Sequence, residues 1–276
     1  RPGWNIPLLN DVFPKSQFPA PMNPTMKHIL PLFLLATLTL SAQTPAPNTE
    51  APKAPAKKVY PKNPPPTQAN VRYGSAERNV LDFWKATSDK PTPLLFFIHG
   101  GGWNGGDKAG IAVESYLKEG ISVVSINYRL IPQSQDVVPP VKAPLTDAAL
   151  ALQFVRSNAE KWNINKERIG ASGGSAGACS SLWLAFHPDM TDAKGAEPIT
   201  RESTRLWCAA VNGAQTTLDP KQMREWTPNS RYGAHAFSKK GELKTFDDFV
   251  AARERILPWI QEYSPYALVT SDDHTV

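Results

Sequence analysis

From Val71 onward, short apolar runs alternate with stretches of helical period. Residues 79–84 and 93–98 are apolar runs, and the second, PLLFFI, lacks polar alternation, which predicts a strand buried on both faces. Residues 121–128, ISVVSINY, are rich in β-branched side chains and predict a third strand. Between these two, residues 109–118 predict a helix behind Asp107 as its cap, stopped by Gly120. Ala148, Ala151, Leu152, Val155 and Ala159 then recur on one helical face, predicting a helix from Thr146 and Asp147 to about Trp162. Residues 168–172 predict a brief strand, 176–186 a helix and 206–211 a further strand. Strands separated by helices form βαβ units, so the fold class is α/β with a largely parallel sheet. No internal repeat interrupts the pattern, and one domain accounts for it.

Composition divides the chain in two. Residues 1–70 hold 15 of the 27 prolines, and they carry the whole net charge of +5, leaving residues 71–276 neutral. The basic pI of 9.1 is therefore no footprint for nucleic acid on the folded part, and a nucleic-acid partner is rejected. Met26, Lys27 and His28 precede twelve mostly apolar residues, 29–40, and then Ser41 and Ala42. A basic start, an apolar stretch well short of the ~20 residues that span a bilayer, and small residues behind it describe a secretory signal over 26–42. A secreted or periplasmic protein with no stable membrane span after cleavage is the expectation. Residues 1–25 show no period and read as an upstream segment or cloning remnant. Residues 43–70, rich in Pro, Ala and Lys, predict an extended linker, with residues 1–68 dispensable for folding. The folded domain is expected over 71–276. Two cysteines, Cys179 and Cys208, are too few for a disulfide scaffold; export permits a bridge between them, and two buried free thiols is the plainer reading.

Two motifs carry chemistry. Gly173-Gly174-Ser175-Ala176-Gly177 is a G-x-S-x-G between a predicted strand and a predicted helix, the setting in which a sharp turn lifts a serine hydroxyl above a sheet. Gly170-Ala171-Ser172-Gly173-Gly174 fits the same pattern, but Ser172 falls within the strand, so Ser175 is the candidate nucleophile. His99-Gly100-Gly101-Gly102-Trp103 follows PLLFFI directly, and consecutive glycines let backbone N–H groups converge on a developing oxyanion. Neither phosphate-loop pattern is present there. The two motifs stand about 75 residues apart, each behind its own strand. Trp103 and Gln215 are weaker candidates for the substrate pocket, while Arg129 reads as a structural ion-pair partner.

The layout of HGGGW, INYRL and INKERIGASGGSAG resembles the carboxylesterases of the hormone-sensitive-lipase and feruloyl-esterase-like branch of the α/β hydrolases, over most of 71–273. The resemblance implies an α/β-hydrolase fold and a serine esterase acylated on Ser175. It implies an oxyanion hole from the N–H groups of Gly100, Gly101 and Ala176, and a supporting role for His99. No metal or organic cofactor is implied. The substrate would be a small-molecule ester, with carbohydrate-linked acetyl and feruloyl esters within its scope.

One departure stands out. In this fold the triad runs Ser, then Asp or Glu, then His, on later strands. Asp273 and His274 are sequence neighbours and do not fit; residues 264–273 read as the approach to a next strand. The acid and base are therefore expected outside this chain, and the chain by itself is expected to be inactive. His28, His187 and His235 are not expected to serve as the base, and His187, Pro188 and Asp189 lack the second ligand cluster of a metal site. A noncatalytic binding module on the same frame, or an amidase or peptidase, is the alternative.

Overall fold

The computed structural model describes residues 60–271. Six strands form one sheet in the order β1-β2-β4-β3-β5-β6, with β1 Gln68–Arg72, β2 Val80–Trp84, β3 Thr92–Ile98, β4 Ser122–Ile126, β5 Ile164–Gly174 and β6 Cys208–Asn212. The β1–β2 and β2–β4 pairs are antiparallel, and β4, β3, β5 and β6 run parallel. The crossovers are α1 Glu114–Lys118 from β3 to β4, α2 Lys142–Ser157 and α3 Ala159–Trp162 from β4 to β5, and α4 Ala176–Phe186 from β5 to β6.

The alternating faces of β3 feed two cores. Leu94, Phe96 and Ile98 join the main core with residues of α2 and α4, while Leu95 and Phe97 pack against Trp84, Ile111, Val113 and Val123. Such a doubly covered strand has no use for polar alternation, which is why PLLFFI reads as it does.

Three boundaries differ from the sequence pattern. The expected helix over 109–118 is two pieces, a 3₁₀ turn Lys108–Gly110 capped by Asp107 and then α1. Between them Asn63 donates to the Ile111 carbonyl at 2.7 Å and accepts from the Val113 amide at 3.1 Å, taking backbone groups that a helix would need. Helix α2 starts at Lys142, ahead of Thr146, because Pro144 lies in its first turn, where no intrahelical N–H is lost. The largest difference is β1. Gln68, Ala69 and Asn70, assigned to the linker, belong to β1: Gln68 pairs with Phe83, and the Asn70 amide donates to Asp82 Oδ1 across a bulge; the chain before them is also held, with Trp84 Nε1 donating to the Pro64 carbonyl and the Lys85 amide to Thr67 Oγ1.

Beyond β6 the chain forms five helices among the described residues: α5 Pro220–Trp226, α6 Ala234–Phe237, α7 Phe246–Ala251, α8 Arg253–Tyr263 and α9 Pro265–Leu268. Asp219 caps α5 and is bound twice over by Arg253 at the start of α8, tying the segment together. Residues 265–268, expected on the way to a strand, make the helical turn α9; Asp272, Asp273 and His274 lie outside the described residues, as do the proposed leader and most of the linker. No helix among the described residues is long and apolar enough to cross a membrane. Cys179 is buried and Cys208 half-buried, and both are free thiols.

Candidate active site

Ser175 sits where β5 turns into α4, with φ 54° and ψ −121°. That backbone region is costly for a residue with a side chain, and such strain persists where the surroundings over-determine it. Here they do. The Ser175 amide donates to the Asn212 carbonyl at the end of β6, at 3.0 Å, and the Ser175 carbonyl accepts from Cys179 in the first turn of α4. At the second residue of the helix, a Cβ on Gly177 would lie within the radius of the Ile98 carbonyl oxygen and 2.8 Å from the His99 carbonyl carbon. Glycine is required there because α4 and the end of β3 touch backbone to backbone. Ser175 is exposed, whereas Ser172 is inside β5, opposite Phe97 and Ala210.

The same close approach brings the glycine loop to the serine. A Cβ on Gly100 would be 3.5 Å from the Ser175 Cβ. Gly101, next in the loop, is exposed, and Ala176 follows Ser175 directly as the first residue of α4. The loop is braced from beneath by a network anchored on Arg78. Its guanidinium donates to the Tyr128 carbonyl at 2.9 Å, to the Gly106 carbonyl at 3.0 Å and to His99 Nε2 at 3.3 Å. Arginine has no acceptor, so Nε2 must accept and the His99 proton is on Nδ1, which donates to the Gly100 carbonyl at 2.8 Å. Tyr128 stacks on the His99 ring and donates its hydroxyl to the His99 carbonyl at 2.6 Å. With both ring nitrogens engaged, His99 supports the loop, as the resemblance implies. Arg129 forms a bidentate pair with the buried Asp147, which also accepts from Asn79.

Trp103 departs from its expected role. Its indole is fully buried, its Nε1 donates to Ser180 at 3.0 Å, and it packs the core under the loop instead of walling a pocket. Gln215 does line a cavity, of about 170 Å3, with Ala214, Thr216, Thr217, Trp226, Ser230 and Tyr232 among its neighbours. Two residues invisible to sequence reasoning complete the surroundings. Tyr232 Oη would be 3.1 Å and His235 Nε2 3.7 Å from a Cβ on Gly102, so both side chains rest on the glycine loop. Their rings meet edge to face at 4.8 Å. Burial holds the His235 imidazole below its ordinary pKa, the neighbouring Gly102 carbonyl offsetting part of this, and pushes the Tyr232 hydroxyl up to about 12. His187 lies at the far end of α4 against Trp183, with Glu262 at 3.3 Å. No cluster of three or more potential metal ligands occurs among the described residues.

Comparison with known proteins extends the picture. Residues 81–274 match the BD-FAE family. Gut esterase 1 of Caenorhabditis elegans is 29% identical over 187 residues, 64% of this chain and 33% of that protein. Esterase LipC of Mycobacterium tuberculosis is 34% identical over 112 residues, 39% of this chain and 27% of that protein. The chain thus spans about a third of the length of these relatives or less. Among solved structures, a truncated carbohydrate esterase from gut microbiota superposes with a TM-score of 0.55 at 22% identity, covering 80% of this chain and 77% of that one. Propionate-bound esterase 2 of Thermogutta terrifontis does so with a TM-score of 0.53 at 21% identity, covering 74% and 68%. At such identities the likeness is one of fold. The family match takes in both glycine turns and the strands that carry them, and the chain belongs to the BD-FAE family of α/β-hydrolase carboxylesterases.

Proposed function

We propose that the protein hydrolyses carboxylic esters through an acyl-enzyme on Ser175. The observation that carries this reading is the strained Ser175 at the head of α4 with the Gly100 backbone against it. Attack of Ser175 Oγ on the ester carbonyl places negative charge on the carbonyl oxygen, and the N–H groups of Gly100, Gly101 and Ala176 receive it; one such donor typically contributes ~2.7–4 kcal/mol to the barrier. The alcohol leaves, and water then frees the acyl group from Ser175. The general base and its carboxylate partner lie outside the described residues. Of the histidines within them, His99 is committed to Arg78 and Gly100, His187 to Glu262, and His235 rests against Gly102 of the glycine loop. Carbohydrate-linked esters are the proposed substrates, in keeping with the gut-microbiota carbohydrate esterase of like fold. Export through the leader over 26–42 would bring the enzyme to them.

The test is covalent labelling of the full-length protein with a fluorophosphonate. Label on Ser175, and none in a Ser175→Ala variant, is the expected result. Label on Ser172, or unchanged labelling of the variant, refutes the assignment.

A further inference from the structure

The chain holds two Asn-Gly dipeptides, Asn104-Gly105 in the glycine loop after β3 and Asn212-Gly213 at the end of β6. An asparagine followed by glycine can close on itself, because a glycine nitrogen, with no Cβ beside it, approaches the side-chain carbonyl carbon freely. Closure turns the peptide unit between the two residues about the asparagine Cα–C bond, so any hydrogen bond made by that unit must first be broken.

The two dipeptides differ in this respect. The Asn212–Gly213 unit is anchored: its carbonyl accepts from the Ser175 amide at 3.0 Å, and Asn212 lies in the ladder opposite Gly174. The Asn104–Gly105 unit is not. Asn104 is exposed in a turn closed by its own amide, which donates to the Gly101 carbonyl at 3.0 Å. Among the described residues neither the Asn104 carbonyl nor the Gly105 amide makes a hydrogen bond, and no atom beyond the chain neighbours lies within 4 Å of where a Cβ on Gly105 would be. The turn also touches the oxyanion donors' own loop. The Gly105 carbonyl oxygen sits where a Cβ on Gly101 would fall, and Asn104 Nδ2 would be 3.8 Å from a Cβ on Gly102.

We infer that Asn104 is a site of spontaneous deamidation whose conversion slows the enzyme, while Asn212, in the same dipeptide, is preserved by its anchored backbone. The Gly105 nitrogen, losing its proton to hydroxide, attacks Asn104 Cγ; the new C–N bond closes a succinimide as the Cγ–NH2 bond breaks and ammonia leaves. Water then opens the ring at one carbonyl or the other, leaving aspartate or isoaspartate where Asn104 was. Either product sets a carboxylate beside Gly102, next to the backbone that receives negative charge from the reacting ester, and isoaspartate also lengthens the main chain between Gly101 and Gly106. The effect on turnover rests on Ser175 being the ester-cleaving residue; the modification itself does not.

The test is storage of the full-length protein in mildly alkaline buffer, with peptide mapping by mass spectrometry and p-nitrophenyl acetate turnover read on the same samples. The Asn104 peptide should gain the mass of an amide-to-acid exchange and split into aspartate and isoaspartate forms, the Asn212 peptide should stay unchanged, and turnover should fall in step. Gly105→Ala, which the open space accommodates, should slow the mass change by about 10-fold or more, since a Cβ obstructs the approach. Asn104→Asp should lower kcat/KM by about 3- to 10-fold at low salt and by less at high salt, as an exposed charge does when like charge develops near it. An unconverted Asn104, an Asn212 converted as fast, turnover that stays level while Asn104 is converted, or a loss in Asn104→Asp that salt does not move overturns the inference. A parent protein that cleaves no ester at the start refutes the Ser175 reading instead, and the peptide map still decides the modification.

Discussion

Replacing Ser175 by glycine should make the protein more stable while removing its nucleophile. With φ 54° and ψ −121°, Ser175 occupies backbone space in which any Cβ is strained. Such a residue carries ~1–3 kcal/mol of strain. Glycine relieves it but loses more conformational freedom on folding, at ~0.5–1 kcal/mol. The net gain is about 1 kcal/mol, which in a domain of 150–250 residues is a rise in Tm of ~2–4 °C. The proper reference is Ser175→Ala, which also lacks the hydroxyl but keeps the Cβ and hence the strain. The assay is calorimetric or circular-dichroism melting of both variants in the same buffer, with fluorophosphonate labelling confirming that neither reacts. If the glycine variant melts at or below the alanine variant, the turn is not strained by its side chain, and the claim that α4, β3 and β6 force it into that conformation fails.

Two other outcomes follow from contacts described above. A protein beginning at Gln68 should melt several degrees below one beginning at Tyr60. It loses the two Asn63 bonds to the Ile111–Val113 backbone, the Trp84 bond to Pro64 and the Lys85 bond to Thr67, together worth about 4 kcal/mol at the usual net ~1 kcal/mol per hydrogen bond; equal melting temperatures would show that these contacts contribute nothing. His235 ties stability to pH. Because burial depresses its folded-state pKa below the unfolded value of ~6.5, the unfolded chain binds more protons under mildly acidic conditions. Its contribution is intact above that pH and is lost as pH falls toward the folded pKa. Urea midpoints measured from pH 7.5 to 5 should therefore fall less steeply for His235→Phe than for the parent, and parallel curves would refute the assignment.

How much of this was legible in the sequence depends on how local the cause is. PLLFFI and ISVVSI announce buried central strands because every neighbour of such a strand is apolar. The serine elbow is legible because its glycines are set by contacts within a few residues along the chain and by one crossing strand. QANVR in β1 was not, since an edge strand with exposed positions and prolines before it shows neither alternation nor a run. Whether Trp103 walls the pocket or packs in the core stayed open, because adjacency to the glycine loop says nothing about which way an indole turns; it found a partner in Ser180, 77 residues away. Nothing in the sequence placed Tyr232, His235 or Arg78 at the glycine loop. Each reaches the glycine loop across a large gap in sequence, and the only local hint was that Tyr232 and His235 lie three apart.

The two walls of the site are built on different terms. The elbow and the glycine loop meet through main-chain atoms, with Gly177 against the Ile98 carbonyl, and no exchange of side chains elsewhere can alter that spacing. The segment from Gly213 to Ser264 is fastened through side chains, with Leu218, Phe237, Phe249 and Ile256 in the main core, and by dispersed bonds such as the Leu218 amide to Ser264 Oγ, the Tyr266 amide to the Thr216 carbonyl and the Val141 amide to the Ala236 carbonyl. Substitutions there can reshape the cavity while the reacting atoms keep their positions. Directed evolution of substrate preference should therefore accumulate its changes between Gly213 and Ser264 and leave β3, β5 and α4 untouched.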